Sequence, residues 1–390
     1  MQKQHMLIYY QGKFHANINN LMGESMAKEN DGAFFPELEN GDREIYQIEK
    51  KENCLRIECG TKLEVINAYY DRKAEESILA VNRYIEDGKL HYQTEYLFLD
   101  ENLHIKKVLV ENQGVLPEFI LAPDESIWVI LVSTTKDCMQ IILPLYNRAR
   151  ITKEIFKKET SYTELFHWNG NMYALWGVPA DSRAKCGKLV HFQFDKNHLF
   201  KENKSIKLEF CRSPRSLVQD TRCFIQNLEG DKGTVQIFSR EIDEKGAVLS
   251  EWNSEIMDEK DTFAPRLTEH TADELIFICN NNTDKLYALI FQNDGTLKER
   301  RLICSLPEIL TGLYVEFEKK LEDGSYLFHL QSGRGFLVIK DFQLTEWIYG
   351  AEEQILWNGK DIMEEKFSSF VPLSTPKGNY FIVKKRQFYA

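Results

Sequence analysis

The chain has 390 residues, of which 43% are hydrophobic and 28% charged, an ordinary globular composition far from that of a disordered segment. With 49 Lys and Arg against 60 Asp and Glu, the net charge is −11, which argues against a general binder of phosphate backbones. No apolar run approaches the roughly 18 residues of a membrane helix.

The N-terminus, MQKQHMLIYYQGKF, holds five apolar residues in a row before polar ones return. That is too short for a signal-peptide core, and no small-residue cleavage site follows. The expected compartment is the cytoplasm, with a mature secreted form expressed without its leader as the alternative. HMLIYYQ, a turn at Gly12 and KFHANI read as two strands. In 19–43 only GAFF looks like a strand. Further on, helical periodicity is nearly absent. Short runs of Val, Ile, Phe, Tyr and Leu alternate with polar turns, the signal of strands and hairpins.

Quartets of such runs follow one another. Residues 117–156 give PEFILAP, IWVILVS, MQIILPLY and ARITKEIF; 162–208 give YTELFHWN, NMYALWGV, LVHFQFD and LFKENKSIKL. Residues 213–252 contain a third quartet and 314–350 a fifth. The clearest lies at 263–303, where FAPRLTEH, ELIFICNN, LYALIFQ and TLKERRLI are joined by tight turns, the last at Asp294-Gly295. The segment AEEQILWNGKDIMEE (351–365) places Ile355, Leu356, Ile362 and Met363 among acids and is read as a short amphipathic helix. The C-terminus supplies two last runs, FSSFVPLS and NYFIVKKRQ.

The turns between third and fourth runs fall near Asp100, Asn147, Asp195, Asp243, Asp294 and Asp341, in steps of 47, 48, 48, 51 and 47. Earlier turns at Gln11 and Lys51 bring the count to eight. This pattern resembles the four-stranded blades of the β-propeller repeat superfamily over essentially the whole chain. The resemblance implies an all-β, closed β-propeller in a single domain, 1–390, with eight blades and seven as the alternative. Its N- and C-terminal strands would share one blade, formed by about 5–18 and 367–389, so that neither leaves an open sheet edge. A pair of β-sandwiches would not enforce one period. The chain has no Gly-His…Trp-Asp signature, no double-glycine kelch pattern and no Ser-x-Asp-x-Gly-x-x-Trp box. The resemblance therefore carries an architecture and no site.

Eight cysteines scatter without a CxxC pair, several within apolar strands, and are read as free buried thiols. Among nine histidines no His-x-x-x-His pair occurs, and Cys54 and Cys59, an odd distance apart in one strand, point to opposite faces. No metal and no cofactor is expected. The nucleophile elbow, the P-loop and GxGxxG are missing. Propeller sites collect single residues from several blades, so that absence assigns no catalytic residue and excludes no enzyme.

Unusual polar and aromatic residues in first strands supply the candidate ligand-binding set. Arg215 and Arg266, each after a proline, could fork a carboxylate; the plainer reading pairs each with an acid of a neighbouring blade. His270 shares a strand with Arg266. His167, Trp168 and Trp176 lie in one hairpin, where the aromatics would stack on a sugar ring or fill the gap between blades. The basic clusters Arg148–Arg150 and Lys384–Arg386 read as solvated surface. The functional expectation is a non-enzymatic binding or scaffold propeller that presents a ring of loops to a protein partner. The alternative is a carbohydrate-active enzyme, a polysaccharide lyase or glycoside hydrolase, acting on a glycan at the channel mouth. Neither nucleic acid nor membrane is an expected partner.

Overall fold

The computed structural model describes residues 38–385, except 87–89, 112–116, 122–126, 135–137, 145–151, 157–161, 170, 178–186, 195–199, 209–214, 230–232, 259–261, 282–283, 314, 322, 331–332, 352 and 366. Apart from the 3-10 turn Glu308–Leu310, every element is a β-strand. Among these residues no helix is long and apolar enough to cross a membrane.

The strands form seven sheets, numbered I to VII here. Sheet I holds Leu63–Asp71, Glu76–Glu86, Leu90–Leu99 and Ile105–Glu111, with Leu38–Asn40 added outside. Sheet II holds Pro117–Leu121, Ile127–Thr134, Cys138–Pro144 and Thr152–Phe156. Sheet III holds Tyr162–Trp168, Asn171–Gly177, Gly187–Phe194 and Phe200–Leu208. Sheet IV holds Arg215–Gln219, Arg222–Glu229, Thr234–Ile242 and Val248–Asn253, extended by Met257–Asp258. Sheet V holds Phe263–His270, Glu274–Asn280, Lys285–Gln292 and Leu297–Ser305. Sheet VI holds Val315–Lys320, Tyr326–Leu330, Gly335–Lys340 and Gln343–Gly350, then Gln354–Trp357 and Lys360–Glu364. These six are antiparallel meanders whose starts and turns follow the period read from the sequence.

Sheet VII joins distant parts of the chain. Its order is Phe367–Thr375, Gly378–Lys385, Cys54–Cys59, Tyr46–Lys51. The two hairpins meet in parallel, Cys54 opposite Phe381 and Leu55 opposite Ile382, and the Phe381 N–H donates to the Asn53 carbonyl at 2.8 Å. The C-terminal runs are therefore completed by Tyr46–Cys59. Residues 5–18, expected in that role, lie outside the described residues. Because the hairpin turning near Lys51 belongs with the C-terminus, the described residues hold seven sheets, and an eighth is not among them.

The segment 351–365 also differs from expectation. It is a hairpin, with Asn358 and Gly359 both at positive φ (45° and 84°) in its two-residue turn. Asn-Gly suits that mirror-image turn, which outweighs the helical spacing of the apolar residues. Two of the aspartate turns share one device: the Asp100 and Asp243 carboxylates each accept backbone N–H groups two and four residues on, at 2.7–2.9 Å. The fourth turn residue takes positive φ, as Leu103 in one and Gly246 in the other.

The core is a series of layers between sheets. Successive side chains on a strand point to opposite faces, so each middle strand feeds two layers. Phe381 joins a cluster with Phe336, Ile348 and Trp357 of sheet VI, while Ile382 joins one with Val65, Leu79 and Leu97 of sheet I. Likewise Phe224 of sheet IV packs with Phe277 and Phe291 of sheet V, and Cys223 and Ile225 pack with Trp168 and Leu175 of sheet III. Ile278 and Leu286 of sheet V meet Phe328 and Leu337 of sheet VI. Middle strands buried on both faces read as continuous apolar runs, such as Ile78–Val81. The layers link sheets III, IV, V, VI, VII and I in turn, and the first strands of I and II also meet.

Removing residues 367–390 would uncover Leu55, Ile57, Val65 and Leu79 at once, each worth roughly 1.5–3 kcal/mol of burial, against a total stability of about 5–15 kcal/mol. The truncated chain is expected to lose its cooperative calorimetric transition and to scatter light as aggregate. An unchanged melting temperature would sink this account of sheet VII.

Candidate functional site

Two glutamines hold the first strands of sheets IV and V side by side. Gln226 Nε2 donates to the Pro265 carbonyl and its Oε1 accepts the Leu267 N–H, both at 2.8 Å; Gln219 Oε1 accepts the His270 N–H at 3.0 Å. Arg215 lies opposite Gln226 in register, so Arg215 and Arg266 stand at the same end of adjacent parallel strands. Arg215 is only 9% exposed. The Arg266 guanidinium turns to sheet VI, 5.8 Å from the centre of the Phe317 ring, a cation–π contact.

His270 lies at the other end of the strand, about 13 Å along by strand rise. Its ring packs on Phe224 at 4.1 Å, and Phe224 also carries the Arg222 guanidinium, Cζ to centroid 4.6 Å. Arg222 forks Glu241 at 2.8 and 2.9 Å, and Ser250 Oγ adds a bond to the same carboxylate. Burial first, then the Arg222 charge, lowers the His270 imidazole to about 4, so it is neutral at pH 7. The structure thus separates His270 from the arginine pair.

Trp168 is 3% exposed, with its indole N–H on the Thr221 carbonyl of sheet IV at 2.8 Å and its ring 5.3 Å from Tyr173. It fills the layer between sheets III and IV, the plainer of the two roles considered. The side chains of His167 and Trp176 lie outside the described residues; their backbone pairs with Met172 and Thr163.

The most deeply buried charges lie where sheet VII meets sheet I, and sequence reading passed over them. Glu95, 0% exposed, accepts from the Tyr46 hydroxyl at 2.7 Å and from Arg83 Nε at 2.5 Å. Nearby, Lys384 Nζ meets Glu64 at 2.5 Å. Lys384, expected on solvated surface, is 4% exposed, because its strand is enclosed between two sheets. Burial lowers its pKa against the pull of Glu64, and burial followed by Glu95 raises that of Tyr46. Thr94 Oγ1 donates to Asn82 Oδ1 at 2.6 Å, both side chains buried. A single acid inside an apolar run, QTEYLFL, was the available signal.

The other junction of sheet VII, with sheet VI, carries Glu346. Its carboxylate accepts from Asn53 Nδ2 at 3.1 Å, and Asn53 is the residue whose carbonyl holds Phe381. Burial raises the Glu346 pKa to about 7; the Asn53 bond opposes the rise and the Asp323 charge adds to it. Arg56 reaches Glu365 across the same junction at 3.4 Å.

Arg83 with Glu95, Lys384 with Glu64 and Arg56 with Glu365 pair opposite charges, while Glu346 is held by the neutral Asn53 amide, and these contacts tie sheets together. Among the described residues no group of three His, Cys, Asp or Glu is placed to hold a metal ion. Cys54, Cys59, Cys223, Cys279 and Cys304 are free, and burial raises the thiols of Cys54 and Cys304 to about 12 and 11. The large apolar side chains exposed among the described residues are Val248, Leu249, Ile256, Leu302 and Ile309. All lie on the outer strands of sheets IV and V or in the segments leaving them.

No family model matches the chain, and no curated protein does. Solved structures with some likeness include the dihydro-heme d1 dehydrogenase NirN in complex with DHE, at 14% identity and a TM-score of 0.37. That match covers 77% of this chain and 58% of that one. A second is the SapL1 lectin in complex with alpha methyl fucoside, at 8% identity, TM-score 0.35, covering 78% and 97%. A third is GH43B from a Bacteroides ovatus xyloglucan locus, at 9% identity, TM-score 0.31, covering 69% and 55%. Likeness at this level assigns neither family nor activity.

Two consequences of the buried charges can be measured. Glu95→Ala takes the buried acceptor from the Tyr46 hydroxyl and the carboxylate from Arg83, which keeps only the Gln93 amide oxygen at 3.3 Å, and is expected to cost about 3–5 kcal/mol in urea unfolding, against about 1 kcal/mol for Tyr46→Phe; equal costs would contradict the network. For Glu346, a folded pKa near 7 against an ordinary 4.5 means that its contribution is complete below pH 4.5 and lost as pH rises through 7. The fall in melting temperature between pH 5 and pH 8 should therefore be smaller in Glu346→Gln than in the parent, and identical falls would refute it.

Proposed function

We propose that the seven sheets close as a seven-bladed propeller acting as a non-enzymatic scaffold, which binds a protein partner on the outer rim of sheets IV and V. Closure is supported by the layers running from sheet III through VII to I, and by contact of the first strands of I and II. One observation carries the functional reading: the five large exposed apolar side chains gather in residues 248–309 of the described chain. Large apolar side chains left in water on neighbouring outer strands are candidates for an interaction surface. The expected ring of loops gives way here to strand edges and the segments leaving them. A glycan-directed enzyme finds less support, since Trp168 is enclosed and Arg266 rests on Phe317.

The test is a Leu249→Glu, Leu302→Glu double variant. Both positions are exposed, so the melting temperature should hold, with each change within about 0.5 kcal/mol. A protein that co-purifies with the tagged parent from its native cells should be lost from the variant. Retention of that protein by the variant, or glycan turnover by the parent, would overturn the reading.

A further inference from the structure

Sheets expose an unpaired backbone at their outer strands, and proteins guard such edges with cations, proline or a cover. The outer strands of sheets II, III, V and VII each carry a lysine or arginine, for example Lys153, Lys204, Arg300 and Lys50, and in sheet I the strand Ile105–Glu111 is covered by the three-residue strand Leu38–Asn40. In sheet VI, Gln343–Gly350 is covered by the hairpin Gln354–Glu364. The outer strand of sheet IV, Val248–Asn253, reads VLSEWN and has none of these guards. It ends its row of strands among the described residues; Val248, Leu249, Ser250 and Glu251 are all exposed, while Trp252 is buried against Phe277 and Phe291 of sheet V. Leu249 is 62% exposed.

We propose that this edge receives an extended peptide of alternating apolar and basic residues, which pairs with Val248–Asn253 as a further strand of sheet IV. The proposal rests on the rim reading above and names the partner's chemistry. Strand addition supplies affinity through main-chain hydrogen bonds and specificity through alternate side chains. Val248 and Leu249, at the bulge where the register against Glu241 and Ile242 shifts, offer the apolar contacts. From residue 244 to 258 the chain has Glu244, Glu251, Glu255 and Asp258 exposed against Lys245, and Arg240 of the adjacent strand pairs with Glu251 at 2.6 Å, so acids remain in excess. That surface attracts a basic strand. A second copy of this chain would set the same acids against each other, since like charges directly opposite are destabilising.

The probe is an eight-residue synthetic peptide alternating Lys and Val, with a version N-methylated at alternate residues and an alternating Glu and Val version. Hydrogen exchange of the full chain should slow at the amides of 248–253 on adding the Lys–Val peptide. The Leu249→Lys variant should bind it about tenfold more weakly, and neither control peptide should protect the edge. The proposal falls if saturating Lys–Val peptide leaves those amides unprotected, if the N-methylated peptide binds equally, or if sedimentation shows copies of the chain paired through this edge. If it falls while Leu249→Glu, Leu302→Glu still loses its partner, the rim reading stands and only strand addition is withdrawn.

Discussion

The arrangement depends most on one junction, the parallel meeting of Cys54–Leu55 with Phe381–Ile382. Backbone pairing there is short, so it does not hold the two hairpins by itself. Alternation does the rest: Cys54 and Phe381 enter the layer facing sheet VI, while Leu55 and Ile382 enter the layer facing sheet I. Two layers are thus completed by residues from both ends of the described chain. Ion pairs and hydrogen bonds to carboxylates concentrate at the same place, with Lys384 on Glu64 and Arg56 on Glu365, and Tyr46 on Glu95 and Asn53 on Glu346. A sheet assembled from two distant segments lacks the short covalent turn that fixes register elsewhere. Buried polar pairs restore that register, because a slip would strand a charge without its partner.

Much of the fold was legible because strand chemistry is local. The period appears wherever an aspartate sits between third and fourth strands, and Asp100 and Asp243 bind the backbone of their own turns. The hairpin at 351–365 was misread because the apolar spacing of Ile355, Ile362 and Met363 suits a helix, while the stronger signal, Asn358-Gly359, went unweighed. The partner of the C-terminal hairpin could not be read at all. HMLIYYQ and the Tyr46–Cys59 hairpin both have strand character, and sequence alone does not say which edge a strand will find.

The site residues were less legible, for a physical reason. Whether an arginine binds a ligand or spaces two sheets depends on what stands opposite, and that neighbour is some 50 residues away. Arg215 and Arg266 do stand at one end of adjacent strands, yet His270 from the same strand belongs to a stack with Phe224 and Arg222. Trp168 is a filler between layers. The signals passed over were single acids and lysines within apolar runs, Glu95 and Lys384, whose environment comes from the neighbouring sheet.

The layered core also bears on synthesis. Sheet I is translated early, but the face it turns to sheet VII is completed by residues near the C-terminus. At about 5–20 residues per second, the ribosome takes roughly 15–60 s to pass from the first strand of sheet I to the last strands of sheet VII. Throughout that interval Val65, Leu79 and Leu97 lack the part of their layer that Val371, Leu373, Tyr380 and Ile382 supply. Until then that face is apolar surface left in water, and slower synthesis between sheet I and sheet VII would lengthen its exposure.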